Sequence, residues 1–385
     1  MSCTPAFELR FSANIHIHNE EKDKYISLMK TFIDQYDFKG EHCEGVKLFQ
    51  VARLGFSGAQ VFYVYIQISN IDTPDVKIAK FDNYLDIRRE AKKAKCLGER
   101  ENEDVFGAYQ GDCKNPKGGL LLYKAVQNAD EFLNIMLSGQ DNIYYCISVL
   151  DKLYTKLIHT VYSFDSRKKR NILIDYKRYL NRKNNPLQKA QIVSEYFNEE
   201  GQKLFSFYQK LANNPKQIYR VKVHGDLHAR NILANGHGSY LIDFDWVHQG
   251  HIAKDFTLLE STLLYMILPS LIVKSTGEHL ELSELKALHK QLYNSFELAE
   301  CIPISRNRDK NACVIKVFEV IKVIRKHAFS VMGNFYNSEN FLDSFEEYKY
   351  SLVLISLSQI SFQDANLEIL VHTANSIIDT LDETI

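Results

Sequence analysis

The sequence has no excess of charge of either sign, because 47 Lys and Arg residues face 48 Asp and Glu residues and the formal net charge is −1. This balance gives no global signal for a nucleic-acid or membrane-surface partner, and neither partner is expected. Proline is scarce, with 7 residues against 22 Tyr and 23 Phe. That composition disfavours a disordered chain and indicates a well-packed one.

The seven cysteines are dispersed, with no close pair and no metal-ligand spacing. Such a set fits buried thiols in a reducing compartment. The first residues lack the apolar core of a signal peptide, and the longest apolar stretch, 256–273, contains Glu260 and Pro269. We therefore expect a cytoplasmic protein in which this stretch is a buried helix rather than a membrane span.

No GxxxxGK[ST] motif is present, which disfavours a P-loop NTPase. The pattern predicts a β-rich lobe with one helix over 46–126 and a mainly helical lobe over 127–385, with a single helix over 186–211. Residues 1–45 are predicted to be an N-terminal extension whose strand and helix pack on the β-rich lobe. This order of elements is α+β.

A polar hairpin is predicted within residues 221–246, where two short apolar runs flank a turn-rich segment. If the runs pair antiparallel, Asn231 lies opposite Asp243, and Asp226 stands in the loop just before them. Hard oxygen groups of this kind suit Mg²⁺ that is shared with substrate phosphates. The alternative is a hairpin whose Asp and Asn side chains satisfy the local backbone.

Strand alternation over 75–82 places Lys80 at the end of an apolar row, where a lysine needs an anionic partner. In the next predicted helix Glu90 shares an apolar stripe with Ile87 and Ala94. We therefore expect an ion pair between Lys80 and Glu90. In the alternative, the Lys80 tip reaches solvent and Glu90 lies at the rim of the helix.

Gly55, Ser57 and Gly58 lie in a turn between two predicted strands. Glycines at such a turn let backbone N–H groups approach an anion closely. An ordinary hairpin turn explains the same residues equally well.

These pieces together resemble the aminoglycoside phosphotransferase and choline kinase-like family, within the protein kinase-like superfamily. The resemblance is carried by His224-Gly225-Asp226-Leu227-His228 with Asn231, by Ile242-Asp243-Phe244, by Gly250 and by Asp255-Phe256. It implies a two-lobed protein kinase-like fold and an ATP-dependent, Mg²⁺-assisted phosphotransferase acting on a small-molecule hydroxyl. An anionic or protein substrate is compatible with it. The alternative is a nucleotide-binding pseudokinase or a protein kinase-like signalling module.

The resemblance also implies roles for individual residues. Asp226 would receive or orient the proton of the acceptor hydroxyl, and Asn231 and Asp243 would complete the catalytic set as metal ligands. Lys80, paired with Glu90, would bind the ATP phosphates. The turn residues Gly55, Ser57 and Gly58 would cover those phosphates, Tyr123 would lie in the adenine-binding hinge, and Asp255 would tie down the catalytic loop.

Some residues depart from the family pattern. Asp245 follows the IDF block and could be a further metal or substrate group. Arg230 could contact substrate or a neighbouring carboxylate. The segment 167–189 is strongly basic, which favours a solvated helix face. If this segment lies near the acceptor site, an anionic acceptor is more natural than a polycationic aminoglycoside.

Overall fold

The computed structural model describes residues 6–10, 19–36, 42–50, 59–98, 109–126, 128–139, 141–162, 169–181, 186–294, 298–335, 341–360 and 366–381. The chain forms two compact units. Unit 1 comprises residues 1–129 and 240–245, and unit 2 comprises residues 130–239 and 246–385. The predicted α+β class is confirmed, because a large sheet occupies the N-terminal part and helices dominate the rest.

Unit 1 is built on a six-stranded sheet in the order β1-β2-β3-β4-β6-β5. The strands are β1 (Ala6–Arg10), β2 (Cys43–Gln50), β3 (Gln60–Ile68), β4 (Asp75–Asp82), β5 (Tyr109–Asn115) and β6 (Gly118–Lys124). Two helices accompany them, α1 (Asn19–Gln35) and α2 (Tyr84–Gly98). β1 pairs with β2 in parallel, and the other neighbours pair antiparallel.

One face of this sheet is covered by α1. The helix buries Tyr25, Leu28, Met29 and Phe32, which recur at the three- and four-residue spacing of one helical face. The Tyr25 ring lies 4.8 Å from the Phe81 ring of β4. Each such side chain contributes about 1.5–3 kcal/mol by leaving water, so α1 is an integral part of the core of unit 1.

Unit 2 is mainly helical. Its helices are α3 (Phe132–Leu137), α4 (Ile143–Thr160), α5 (Ile172–Leu180), α6 (Pro186–Phe197), α7 (Glu199–Asn213), α8 (Lys254–Thr262), α9 (Leu268–Thr276), α10 (Leu282–Tyr293), α11 (Arg308–Gly333), α12 (Phe341–Gln359) and α13 (Leu367–Asp379). Its short strands are β7 (Asp130–Glu131), β8 (Lys169–Asn171), β9 (Gln217–Val223), β10 (Ile232–Ala234) and β12 (His248–His251). Strand β11 (Ser239–Leu241) begins at the last residue of unit 2 before residues 240–245, which belong to unit 1. These strands form two three-stranded sheets, in the orders β12-β9-β8 and β11-β10-β7.

The prediction of one helix over 186–211 is wrong. The chain breaks at Asn198, whose φ of +44° lies in the left-handed region that asparagine tolerates better than most residues. Helix α7 then returns against α6, and a Cβ on Gly201 would lie 2.4 Å from the backbone of Ser194. The close approach of the two helices therefore requires glycine, and periodicity alone does not show it.

Within the described segments, one helical stretch is long and apolar enough to cross a membrane by length and composition. It runs from Lys254 to Thr276, and 78% of its most apolar window is buried inside the protein, as expected for a core helix. Glu260 within it accepts from Arg325 Nε at 3.0 Å and from Tyr348 Oη at 2.7 Å. This acidic residue is thus paired inside the protein core.

Candidate functional site

A buried charge cluster in unit 1 is centred on Lys80. Its Nζ lies 2.8 Å from Glu90 Oε2 and 3.1 Å from Asp243 Oδ1. The side chains of Lys80 and Glu90 are 11% and 3% exposed, whereas that of Asp243 is 36% exposed. The predicted ion pair between Lys80 and Glu90 is therefore present, and Asp243 joins it from the segment after β11.

Periodicity explains how Lys80 and Glu90 meet. In β4, Ala79 and Phe81 belong to the core cluster that includes α1, so Lys80 faces the other side of the sheet. In α2, Ile87, Glu90, Ala91 and Ala94 are the buried positions before the last turn. This stripe directs Glu90 inward while Arg88 and Arg89 stay exposed.

The cluster fixes the protonation of Lys80. Burial by itself lowers the pKa of the Lys80 ammonium, but the charges of Asp243 and Glu90 and their hydrogen bonds outweigh burial and raise it above its ordinary value. Burial raises the pKa of Glu90, and the charge of Lys80 opposes that rise. Lys80 is consequently a fixed, largely dehydrated cation at neutral pH, which suits binding of a polyanion.

Tyr123 of β6 supports this cluster. Its buried hydroxyl donates to Glu90 Oε1 at 2.7 Å, and its ring lies 5.9 Å from that of Phe244. The side chain therefore holds Glu90 in place. A contact between Tyr123 and adenine remains a prediction.

Asp245 is engaged by α2. Arg89 donates to its carboxylate through Nε at 2.8 Å and through Nη2 at 3.3 Å, and Lys93 donates to its backbone carbonyl. Asp245 is thus paired with Arg89, and its role as a further metal or substrate group remains a prediction. Asp243 itself has a φ of +64°, a conformation that aspartate tolerates better than most residues.

In unit 2, Asp255 holds the loop that follows β9. Its Oδ2 accepts from the backbone N–H of His224 at 2.7 Å, and its Oδ1 accepts from that of Gly225 at 2.7 Å. Tyr162 donates to Oδ2 at 3.2 Å. Burial raises the pKa of Asp255, and these hydrogen bonds and the charge of His224 oppose the rise. The predicted scaffold role of Asp255 is confirmed.

The loop also binds itself around Asp226. The buried His224 accepts from the Asp226 backbone N–H through Nδ1 at 3.3 Å, and the Asn231 amide donates to the Asp226 carbonyl at 2.8 Å. His228 Nε2 lies 3.8 Å from Asp226 Oδ2. Three of the residues that the sequence singled out therefore surround Asp226.

Gly225 is required by its surroundings. Its φ is +81°, and a Cβ there would lie 2.4 Å from the carbonyl oxygen of Trp246. Any other residue would combine an unfavourable backbone conformation with a clash. The Asp226 loop and Trp246 are thus packed backbone to backbone.

A buried ionic network beneath this loop was not predicted. Lys254 Nζ lies 2.5 Å from Asp175 Oδ2 and 3.2 Å from His248 Nε2, and Arg220 Nε lies 3.1 Å from Asp175 Oδ1. The signal available in the sequence was that Asp175 is the only acidic residue in the basic segment 167–189.

Several sequence-predicted residues cannot be assessed. Gly55, Ser57 and Gly58 lie outside the described residues, as do Arg167, Lys168, Arg182 and Lys183 of the basic segment. In the part of the chain that is described, no group of three or more His, Cys, Asp and Glu side chains could hold a metal ion. The half-buried Arg230 remains without an assigned role.

Comparison with protein families gives one match, over residues 166–354, to the family described as ternary complex associated domain 9. This range is just under half of the chain. No curated protein matches the sequence.

Several solved structures are similar to this chain at low identity. A thermostable mutant of an aminoglycoside phosphotransferase, solved with ADP and hygromycin B, has a TM-score of 0.49 and 8% identity over 93% of this chain and 99% of that one. Choline kinase from Cryptosporidium parvum has a TM-score of 0.48 and 12% identity over 95% and 96%. A glucosamine kinase has a TM-score of 0.47 and 9% identity over 88% and 94%.

Proposed function

We propose that this protein is a phosphotransferase that moves the γ-phosphate of ATP to a hydroxyl of a small-molecule acceptor. The observation that carries the proposal is the cluster of Lys80, Glu90 and Asp243. A lysine held charged by two carboxylates, one of them partly exposed, has the chemistry needed to bind phosphates beside a metal ligand. The HGDLH block with Asn231, clamped by Asp255, supports the same function.

Magnesium fits the available donors. No dedicated cage of acidic, His or Cys side chains is found among the described residues, and Mg²⁺ is usually bound by one or two protein oxygens together with waters and substrate phosphates. We propose Asp243 and Asn231 as its protein ligands. When bound, Mg²⁺ would neutralise charge on the ATP phosphates.

The residues of the chain would then divide the work. Lys80 binds phosphate oxygens, and Glu90 with Tyr123 keeps its ammonium in position. Asp226 accepts the proton of the acceptor hydroxyl as the acceptor oxygen forms a bond to the γ-phosphorus. The bond from that phosphorus to the β–γ bridging oxygen breaks, and ADP leaves with the electron pair. Such transfer depends mainly on positioning and charge stabilisation.

Transfer of radiolabelled γ-phosphate from ATP to pooled hydroxylated metabolites, antibiotics and generic protein substrates tests this function. With Mg²⁺ we expect the wild-type protein to label a small molecule, and Asp226→Asn to lower the rate about 10²- to 10⁴-fold, the usual contribution of a catalytic base. Asp226→Asn should still bind Mg-ATP. Wild-type turnover in that variant would overturn the role of Asp226.

A nucleotide-binding pseudokinase gives a different result in the same assay. Such a protein would bind Mg-ATP normally and label none of the pooled compounds. Glu90→Gln is a further control that is compared with wild type. It alters the position of the Lys80 ammonium and leaves Asp226 unchanged.

A further inference from the structure

One helix of unit 2 presents a guanidinium beside the Asp226 loop. Arg178 of α5 is exposed, and its Cζ lies 3.6 Å from the centroid of the half-buried Trp246 ring. At this distance the guanidinium makes a cation–π contact with the indole. A guanidinium that lies over a ring can still donate hydrogen bonds from its N–H groups, so it is well suited to bind an oxyanion.

The backbone of Trp246 packs beside Gly225, the residue before Asp226. The carbonyl of Trp246 occupies the space beside Gly225, where a Cβ would lie 2.4 Å away, and Gly225 immediately precedes Asp226. Tyr179, the next residue of α5, packs its ring 5.0 Å from the Trp246 ring. Arg178, Tyr179 and Trp246 thus form one platform at the edge of the loop.

Tyr179 supplies a second, independent observation. Its side chain is 4% exposed, and within the described part of the chain its hydroxyl has no hydrogen-bond partner. Burial raises the pKa of Tyr179, and the nearby charge of Asp226 raises it further. The hydroxyl is therefore neutral, and the platform lies within electrostatic range of Asp226.

We propose that Arg178, stacked on Trp246, binds an anionic group of the acceptor, so that the acceptor of the phosphotransferase carries a phosphate or carboxylate as well as its hydroxyl. This inference rests on the proposed function and names the substrate class of the same site. The other exposed cation of α5, Lys177, has no ring contact among those described and gives a matched control.

Trp246 makes the proposal directly measurable, because it is the only tryptophan in the chain. Its intrinsic fluorescence is followed in the full-length protein while inorganic phosphate, glucose 6-phosphate or gluconate is added at constant ionic strength. Glucose is the neutral control. We expect a saturable change with at least one of the three anions and none with glucose.

Variants assign the effect to Arg178. Arg178→Gln should weaken binding of the responding anion about 10- to 100-fold, the range of a lost charge-assisted hydrogen bond, while Lys177→Gln stays within about twofold of wild type. Arg178→Lys keeps the charge but loses the planar fork, and should be intermediate. Affinities are compared, since removing the stacked guanidinium alters the fluorescence amplitude by itself.

Three outcomes overturn the proposal. They are no response to any of the three anions, equal affinity in Arg178→Gln and wild type, and a response to a single-stranded oligonucleotide that small anions fail to produce. Mg-ATP binding is measured on the same samples. Intact Mg-ATP binding without an anion response rejects this inference and leaves the proposed function standing. Absence of Mg-ATP binding rejects the proposed function, and an anion response then shows only an anion site at Arg178.

Discussion

Arg89 donates to Asp245 through Nε at 2.8 Å and through Nη2 at 3.3 Å. Arg89 directly precedes Glu90, and Asp245 lies two residues after Asp243. The ion pair therefore joins helix α2 to the segment after β11 a second time, beside the Lys80 cluster. The Arg89 side chain is 50% exposed. The ion pair is therefore a positioning contact rather than a large source of stability.

Asp245→Asn should therefore leave the Mg²⁺ dependence of ATP binding unchanged. We expect a loss of at most about 1 kcal/mol in unfolding free energy and a drop in ATP affinity of about two- to fivefold, typical of an exposed pair. Calorimetric titration at several Mg²⁺ concentrations measures both binding quantities. Arg88→Gln on the exposed side of α2 is the control, and a changed Mg²⁺ requirement in Asp245→Asn would show that Asp245 is a metal ligand.

Lys80→Met should destabilise the protein by about 3–5 kcal/mol, because it leaves the buried Glu90 without its cation. The cost should shrink as pH falls, since burial raises the pKa of Glu90 and the carboxyl can take up a proton. The double variant Lys80→Met/Glu90→Gln should regain most of the stability but bind ATP no better. Urea unfolding and ATP titration separate these effects. Recovery of ATP binding in the double variant would argue against a direct phosphate contact by Lys80.

Unfolding free energy should fall as pH drops from 6.5 towards 4. Burial, followed by the charge of Lys254, lowers the pKa of His248 from 6.5 to about 4, and Lys254 lies 3.2 Å from its Nε2. Between pH 6.5 and pH 4 the unfolded chain therefore binds a proton at His248, and the folded protein does not. The free energy of unfolding is at its full value above pH 6.5 and declines below it. The contribution of His248 is at most about 3 kcal/mol.

His248→Gln should flatten that decline. His289, whose pKa burial lowers to about 3, keeps part of the slope. Substitution of the exposed His279 by Gln should change nothing. Urea unfolding at closely spaced pH values measures the slope, and an equal slope in wild type and His248→Gln would rule out His248 as its source.

Asp255→Asn should destabilise the protein by about 1–3 kcal/mol and slow phosphoryl transfer. The amide can no longer accept from both His224 and Gly225, and a buried N–H without an acceptor carries that cost. Tyr162→Phe removes only the 3.2 Å hydrogen bond to Asp255 and should have a smaller effect. Hydrogen exchange of the loop amides is compared in the two variants. Equal protection would show that the hydrogen bonds of Asp255 do not hold the loop in place.

The hydrophobic periodicity of the sequence was the basis for predicting the pair of Lys80 and Glu90. Alternation in β4 and the three- and four-residue spacing in α2 indicated that Lys80 and Glu90 face inward, and the cost of burying either charge alone favoured the ion pair. The scaffold role of Asp255 came from the family resemblance. Both are consequences of local pattern or of short motifs in fixed order.

Contacts between distant segments were not predictable in the same way. Lys254 and Asp175 are separated by 79 residues, and Tyr123 and Glu90 by 33. No local spacing specifies either pair, because each depends on how strands and helices are placed after folding. The break at Asn198 was missed for a related reason, since only the contact of Gly201 with Ser194 shows that the chain reverses there.

Binding of ATP with and without Mg²⁺, measured by calorimetry on wild type, Asp243→Asn and Asp226→Asn, tests the central claim most directly. We predict Mg²⁺-dependent binding in wild type, loss of that dependence in Asp243→Asn, and nearly unchanged binding in Asp226→Asn. Failure of the wild-type protein to bind ATP, or binding by Asp243→Asn with the full Mg²⁺ dependence, would contradict a phosphotransferase site built on Lys80, Glu90 and Asp243.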